Sequence, residues 1–123
     1  MTSVLNVDTI AAKNGTDPVA LTKQSAAKSW IKFNGTGTVA INNSFAISSL
    51  DDDGTGDYGI NFTNSMSSAE YPAPSSSGED NRMVFTNFGT VTSSAMDCQT
   101  RLVSANSTSD AARISIEILG DLA

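Results

Sequence analysis

Apolar side chains recur at every second position along much of the chain. The clearest case flanks a turn: Ile31 and Phe33, then Asn34-Gly35-Thr36-Gly37, then Val39 and Ile41. Alternation of this kind gives one buried and one wet face, and Asn and Gly tolerate the positive φ of tight hairpin loops. Residues 30–41 therefore predict a β-hairpin. A second hairpin is predicted from Phe45 and Ile47 on one strand and Tyr58, Ile60 and Phe62 on the next, with Gly59, Asn61 and Thr63 outward and residues 51–57 as an acidic loop. Further strands are expected over residues 65–71, where Pro72 and Pro74 stop the strand or confine it to an edge. Others follow over 83–88, with Met83 and Phe85 on one face, and over 95–104, with Met96, Cys98, Thr100 and Leu102 together. In the last strand Ile114, Ile116 and Ile118 point inward between Arg113, Ser115 and Glu117. Residues 75–81 and 105–110 read as exposed polar loops.

The first 28 residues follow another pattern. Val4, Leu5, Val7 and Ile10 make an extended segment, and residues 13–18 turn. Pro18, capped by Asp17, then opens a short helix running to about Lys28. A helix of ~10 residues is marginal alone, so Val19 and Leu21 are expected to pack on the sheet or on other copies of the chain. The chain is thus predicted to be all-β, an antiparallel β-sandwich over residues 29–123 preceded by an attachment or oligomerisation segment over residues 1–28.

A net charge of −6 with no histidine removes any general attraction to nucleic-acid backbones or anionic membranes. No run approaches the ~18 apolar residues of a membrane span, and the N-terminus has no basic start and apolar core, so the chain is read as made without Sec export. Cys98 is the only cysteine, which excludes an intrachain disulfide and a multi-cysteine metal site. It reads as a half-buried strand thiol. Without histidine, Ser-His-Asp and Cys-His catalysis are impossible.

Asp51, Asp53 and Asp57 could offer carboxylates to a hard cation such as Ca²⁺, and the run matches the opening of a calcium loop. The closing Glu of that pattern falls on Phe62, and clustered Asp and Gly also suit a plain hairpin turn. Trp30, Tyr58 and Tyr71 could stack on sugars, although single aromatics in a small β domain are more often core or interface anchors. The Asn-x-Ser/Thr sequons at Asn14, Asn34, Asn42, Asn61 and Asn106 read as chance products of the composition.

Several stretches together resemble a family of short tail-fibre or fibre-like virion proteins of marine and cyanobacterial tailed phages. They are Leu5-Asn6-Val7-Asp8-Thr9-Ile10, Trp30 with residues 33–41, Ser44-Phe45, Asp53-Gly54-Thr55-Gly56-Asp57-Tyr58, Asn61-Phe62-Thr63, Met66, Tyr71 and Gly120-Asp121-Leu122-Ala123. Ala46, Gly59 and Pro72-Ala73-Pro74 depart from the pattern. The resemblance implies a homotrimer with a jelly-roll-like knob and no catalytic residues. It also implies location on the virion, synthesis in the host cytoplasm without a signal peptide, and contacts with other tail or capsid proteins and a host cell-surface glycan.

The function expected is a tail-fibre or receptor-binding module, with a capsid decoration or head-fibre protein as the alternative. A rival from another class is a small polysaccharide-active enzyme or a free carbohydrate-binding module. Val4, Leu5, Val7, Ile10, Val19 and Leu21 are the expected oligomer or attachment contacts. Asp52, Thr55, Ser76, Glu79, Asn81 and Asn106 mark the expected exposed contact loops.

Overall fold

In β1 (Ala27–Asn34), Ser29, Ile31 and Phe33 are buried while Lys32 is exposed, as period-two alternation requires. This computed structural model describes residues 27–87 and 89–123. The extended segment and most of the helix expected before β1, with Val4, Leu5, Val7, Ile10, Val19 and Leu21, lie outside the described residues. Ala27 and Lys28, assigned to that helix from sequence, belong to β1.

The remaining elements are β2 (Ala40–Phe45), β3 (Ile47–Gly54), β4 (Asp57–Phe62), β5 (Ser75–Ser77), β6 (Arg82–Asn87), β7 (Ala95–Leu102) and β8 (Ile114–Leu119). They form two four-stranded sheets of order β2-β1-β8-β5 and β3-β4-β7-β6. Every strand pairing is antiparallel. The described residues are all-β, with no helix. Consecutive strands pair within one sheet as hairpins β1–β2, β3–β4 and β6–β7. A jelly-roll path would instead carry successive strands back and forth between sheets, so the chain's course differs from that expectation.

The two sheets share one core. Ile31, Phe33, Ile114, Ile116 and Ile118 from the first meet Tyr58, Ile60, Phe62, Met96 and Cys98 from the second. The Phe33 and Tyr58 rings cross the gap edge to face at 5.1 Å, a favoured aromatic geometry. The inward sets expected for β4, β7 and β8 are borne out, except that Leu102 is only half-buried. Cys98 is fully buried rather than half-buried, and burial first, then Asp57 and Asp97, pushes its thiol up to about 12.

Three local expectations are corrected. The acidic loop is mostly strand: β3 runs through Asp51, Asp52 and Asp53, and only Thr55 and Gly56 turn the chain. Pairing with β4, with Asp51 opposite Gly59 and Asp52 opposite Tyr58, overrides the low strand preference of Asp. Secondly, Ser75–Ser77 is a strand despite having no apolar residue, paired with residues 114–116 of β8. Its ladder is short because Pro74 and Pro72 accept from the Glu117 and Leu119 amides but have no N–H to return. Thirdly, residues 65–71 form no strand beyond a single bridge from Met66 to Leu122.

The predicted second strand of the first hairpin is present but faces water. Ile41 is 39% exposed and Phe45 56%. Directly after it, Ala46 adopts φ 56, and there the chain leaves the first sheet and enters the second. Such a φ is rare for a residue with a Cβ.

Candidate functional site: a loop-bearing end and two exposed sheet faces

β1 begins at one end of the body and delivers the chain to the other. Four connections gather at that far end: residues 35–39, 55–56, 78–81 and 103–113. Asp110 knits them, since its Oδ1 accepts the Gly56 amide at 2.7 Å and lies 3.3 Å from the Tyr58 hydroxyl. That hydroxyl donates to the Gly35 carbonyl at 2.9 Å, while the Gly35 amide donates to Ala111 O at 2.9 Å. Asn81 joins the cluster by accepting the Ser104 amide and donating to Ser104 Oγ, at 3.1 and 3.0 Å. Asn81 and Asn106 both have positive φ, which Asn tolerates better than most residues.

The structure therefore brings Thr55, Asn81 and Asn106 to one end, all exposed. Glu79 joins them half-buried, its amide donating to Ser77 Oγ at 3.2 Å. Ser76 lies on β5 opposite Ser115 and faces outward from the sheet, and Asp52 sits on the rim of β3 with its Oδ1 accepting the Gly54 amide at 3.3 Å.

Asp51, Asp53 and Asp57 do not converge in a loop. Asp51 and Asp53 flank Gly59 on the outer face of β3–β4, where a Cβ on Gly59 would stand 3.0 Å from an Asp53 oxygen. Asp51 Oδ2 accepts from Asn61 at 2.7 Å and Asp57 Oδ2 from Gln99 at 3.3 Å. Among the described residues no group of three or more His, Cys, Asp or Glu side chains is placed to hold a metal ion. Asp97, opposite Gly59 on β7, adds a fourth carboxylate that sequence reading missed. Its signal was its outward phase between Met96 and Cys98.

Desolvation, then the charges of Asp97, Asp51, Asp57 and Asp52, raise the Asp53 carboxyl above its ordinary 3.8. A carboxyl raised in the folded state holds its proton more firmly there, so stability falls as pH rises above 3.8. Asp53→Asn is accordingly expected to raise the thermal midpoint at pH 7 in low salt by about 1–3 °C. The gain should shrink in 0.5 M salt and fade as pH falls well below 3.8, where the wild-type group is protonated in both states. A scan of midpoint against pH and salt checks it.

Of the aromatics considered for sugar contact, Tyr58 and Tyr71 are buried and only Trp30 keeps partial exposure. Tyr71 donates toward the Thr92 and Ala95 carbonyls at 3.0 and 3.1 Å and packs on Phe62. Phe85 is the aromatic left open on the second sheet, 40% exposed beneath the Arg101 guanidinium at 5.7 Å. With Thr86, Asn87 and Gln99 these two line a shallow cleft of about 350 Å³. A second cleft of about 520 Å³, beside Glu70, Tyr71 and Val91, lies at the opposite end from the loops and offers one carboxylate. Among the described residues, neither lining presents the carboxylate pair of acid–base hydrolysis.

Compared with known protein families, curated proteins and solved structures, the chain has no significant match.

Proposed function

We propose that the protein is a phage virion structural module: a non-catalytic tail-fibre or receptor-binding attachment module whose two sheets form the sandwich knob of a homotrimer. The observation that carries this reading is polarity. The chain enters β1 at one end, and the loops around Gly56, Asn81 and Asn106 stand at the other, held by Asp110 and Tyr58. Loops held in this way can face outward while the opposite end of the body is turned to the particle. The resemblance of the N-terminal and hairpin segments to phage fibre proteins supplies the setting.

Light scattering on the full-length chain tests it, with an expected mass about three times the chain's 12.8 kDa. Deleting residues 1–10 should abolish incorporation into particles. A monomer at micromolar concentration would sink the trimer. Turnover of polysaccharide lost on Asp→Asn changes at residues 51–57 would replace the structural reading with the enzymatic one.

A further inference from the structure

Asn34 ends β1, and Gly35 opens the loop that follows. An Asn followed by Gly can modify itself, because the glycine amide has no side chain beside it to hinder attack on the Asn side-chain carbonyl carbon. Base removes the amide proton, the new nitrogen–carbon bond expels ammonia, and a five-membered succinimide remains. Water then opens the ring on one side or the other. The products are aspartate and isoaspartate, the latter carrying the main chain through the former side chain with one methylene more. The net change is one water gained and one ammonia lost.

The fold holds the reacting groups apart. The nucleophile is the Gly35 amide, which is buried and donates to Ala111 O at 2.9 Å. On the other side of the reaction, Asn34 Oδ1 accepts the Thr36 amide at 3.0 Å and the Thr36 hydroxyl at 2.8 Å, while Nδ2 donates to Thr36 O at 3.2 Å. These bonds turn the Asn34 side chain toward residue 36 and away from the amide of residue 35. The Asn34 backbone is extended and paired with Ala40, so ring closure needs the peptide to rotate out of the strand. That rotation would take the Gly35 amide from Ala111 and the Gly35 carbonyl from the Tyr58 hydroxyl, which donates to it at 2.9 Å. Tyr58 is therefore the positioning residue. It also keeps residue 35 a glycine, since an added Cβ would overlap its hydroxyl.

We propose that Asn34-Gly35 is a latent deamidation site, shut by the Tyr58 and Ala111 contacts of the folded loop end and reactive when that end opens. Opening and reclosing are fast beside this chemistry, so the rate at Asn34 follows the open population. Isoaspartate at position 34 lengthens the path between Phe33, opposite Ile114, and Gly35, so that the two no longer reach their partners together. An opening captured in this way does not reverse.

Peptide mapping by mass spectrometry, which tells asparagine, aspartate and isoaspartate apart at each position, tests this on the full-length chain at pH 8. Asn14-Gly15, the same dipeptide elsewhere in the sequence, is the chemical reference in concentrated urea, where the two sites should react within about threefold of each other. Without urea, Asn34 should react at least about a hundredfold more slowly than in it. Tyr58→Phe, with its fold confirmed by circular dichroism, should raise the native rate at Asn34 at least about fivefold. If that variant does not fold, wild type in urea below its midpoint gives the same reading, since the rate at Asn34 should climb with the open fraction. After urea is removed, chains with isoaspartate at position 34 should be depleted from the refolded fraction. A native rate within about threefold of the urea rate, or an Asn34 inert in urea while Asn14 reacts, would overturn the proposal. So would a folded Tyr58→Phe that reacts like wild type, a rate that stays flat up to the urea midpoint, or isoaspartate at position 34 carried undiminished into refolded chains.

Discussion

Gly56→Ala is expected to cost the fold far more than its single methyl group suggests. Gly56 sits at φ 67, and an added Cβ would stand 2.6 Å from the Thr100 carbonyl oxygen and 2.7 and 2.9 Å from the Ser109 backbone. Those atoms are main chain and cannot swing aside. Moving them would break the bond from the Thr100 amide to Gly56 O at 2.8 Å and that from the Gly56 amide to Asp110 at 2.7 Å. Left-handed backbone costs a residue with a Cβ about 1–2 kcal/mol, and overpacking adds about 1–3 kcal/mol. Gly37→Ala provides the internal control, because Gly37 has nearly the same φ of 64 with nothing within 4 Å of the added Cβ. It should lose only the backbone share. Urea titration of both variants, with unchanged m, separates the two costs. Equal losses would show that the loops around Gly56 yield more readily than their hydrogen bonds suggest.

Tyr58→Phe is the second large effect. It removes the donor that satisfies the buried Gly35 carbonyl and stands beside Asp110, at an expected cost of about 1–3 kcal/mol. This loss should depend on pH. Burial pushes the Tyr58 phenol from its ordinary 10.0 up to about 12, against smaller opposing pulls from hydrogen bonds. The unfolded chain therefore releases the proton first, and the wild type loses stability between pH 10 and about 12 while Tyr58→Phe loses none from this site. The gap between the two should narrow across that range. Tyr71, also raised to about 12 by burial, contributes equally to both proteins and cancels.

The strands with strong alternation were legible from residue type. Ile114, Ile116 and Ile118, and likewise Tyr58, Ile60 and Phe62, announce their inward face because only apolar side chains repay burial. Asp51, Asp52 and Asp53 did not announce a strand, since their pairing is decided by β4 and not by their own preference. Ser75–Ser77 was hidden for the same reason: β8 supplies the ladder, and no apolar side chain reports it. The loop end was half legible. Asn81 and Asn106 suggested turns, but nothing near Asp110 in sequence indicates that it meets Gly56, 54 residues away. The Phe85 and Arg101 cleft was not legible, because alternation places Met83 and Phe85 on one face without saying that this face is the outward one.

The position of β1 carries a mechanical consequence. It lies between β2 and β8, and its hydrogen bonds to both run across the strand direction. A pull between the start of β1 and the far loops acts along the strands, so it loads those bonds in shear and must rupture many of them together. Tension applied at Ala27 against its partner Leu119 would instead open the β1–β8 seam one pair at a time. A load between the start of β1 and the far loops would therefore strain this body along its stiff direction.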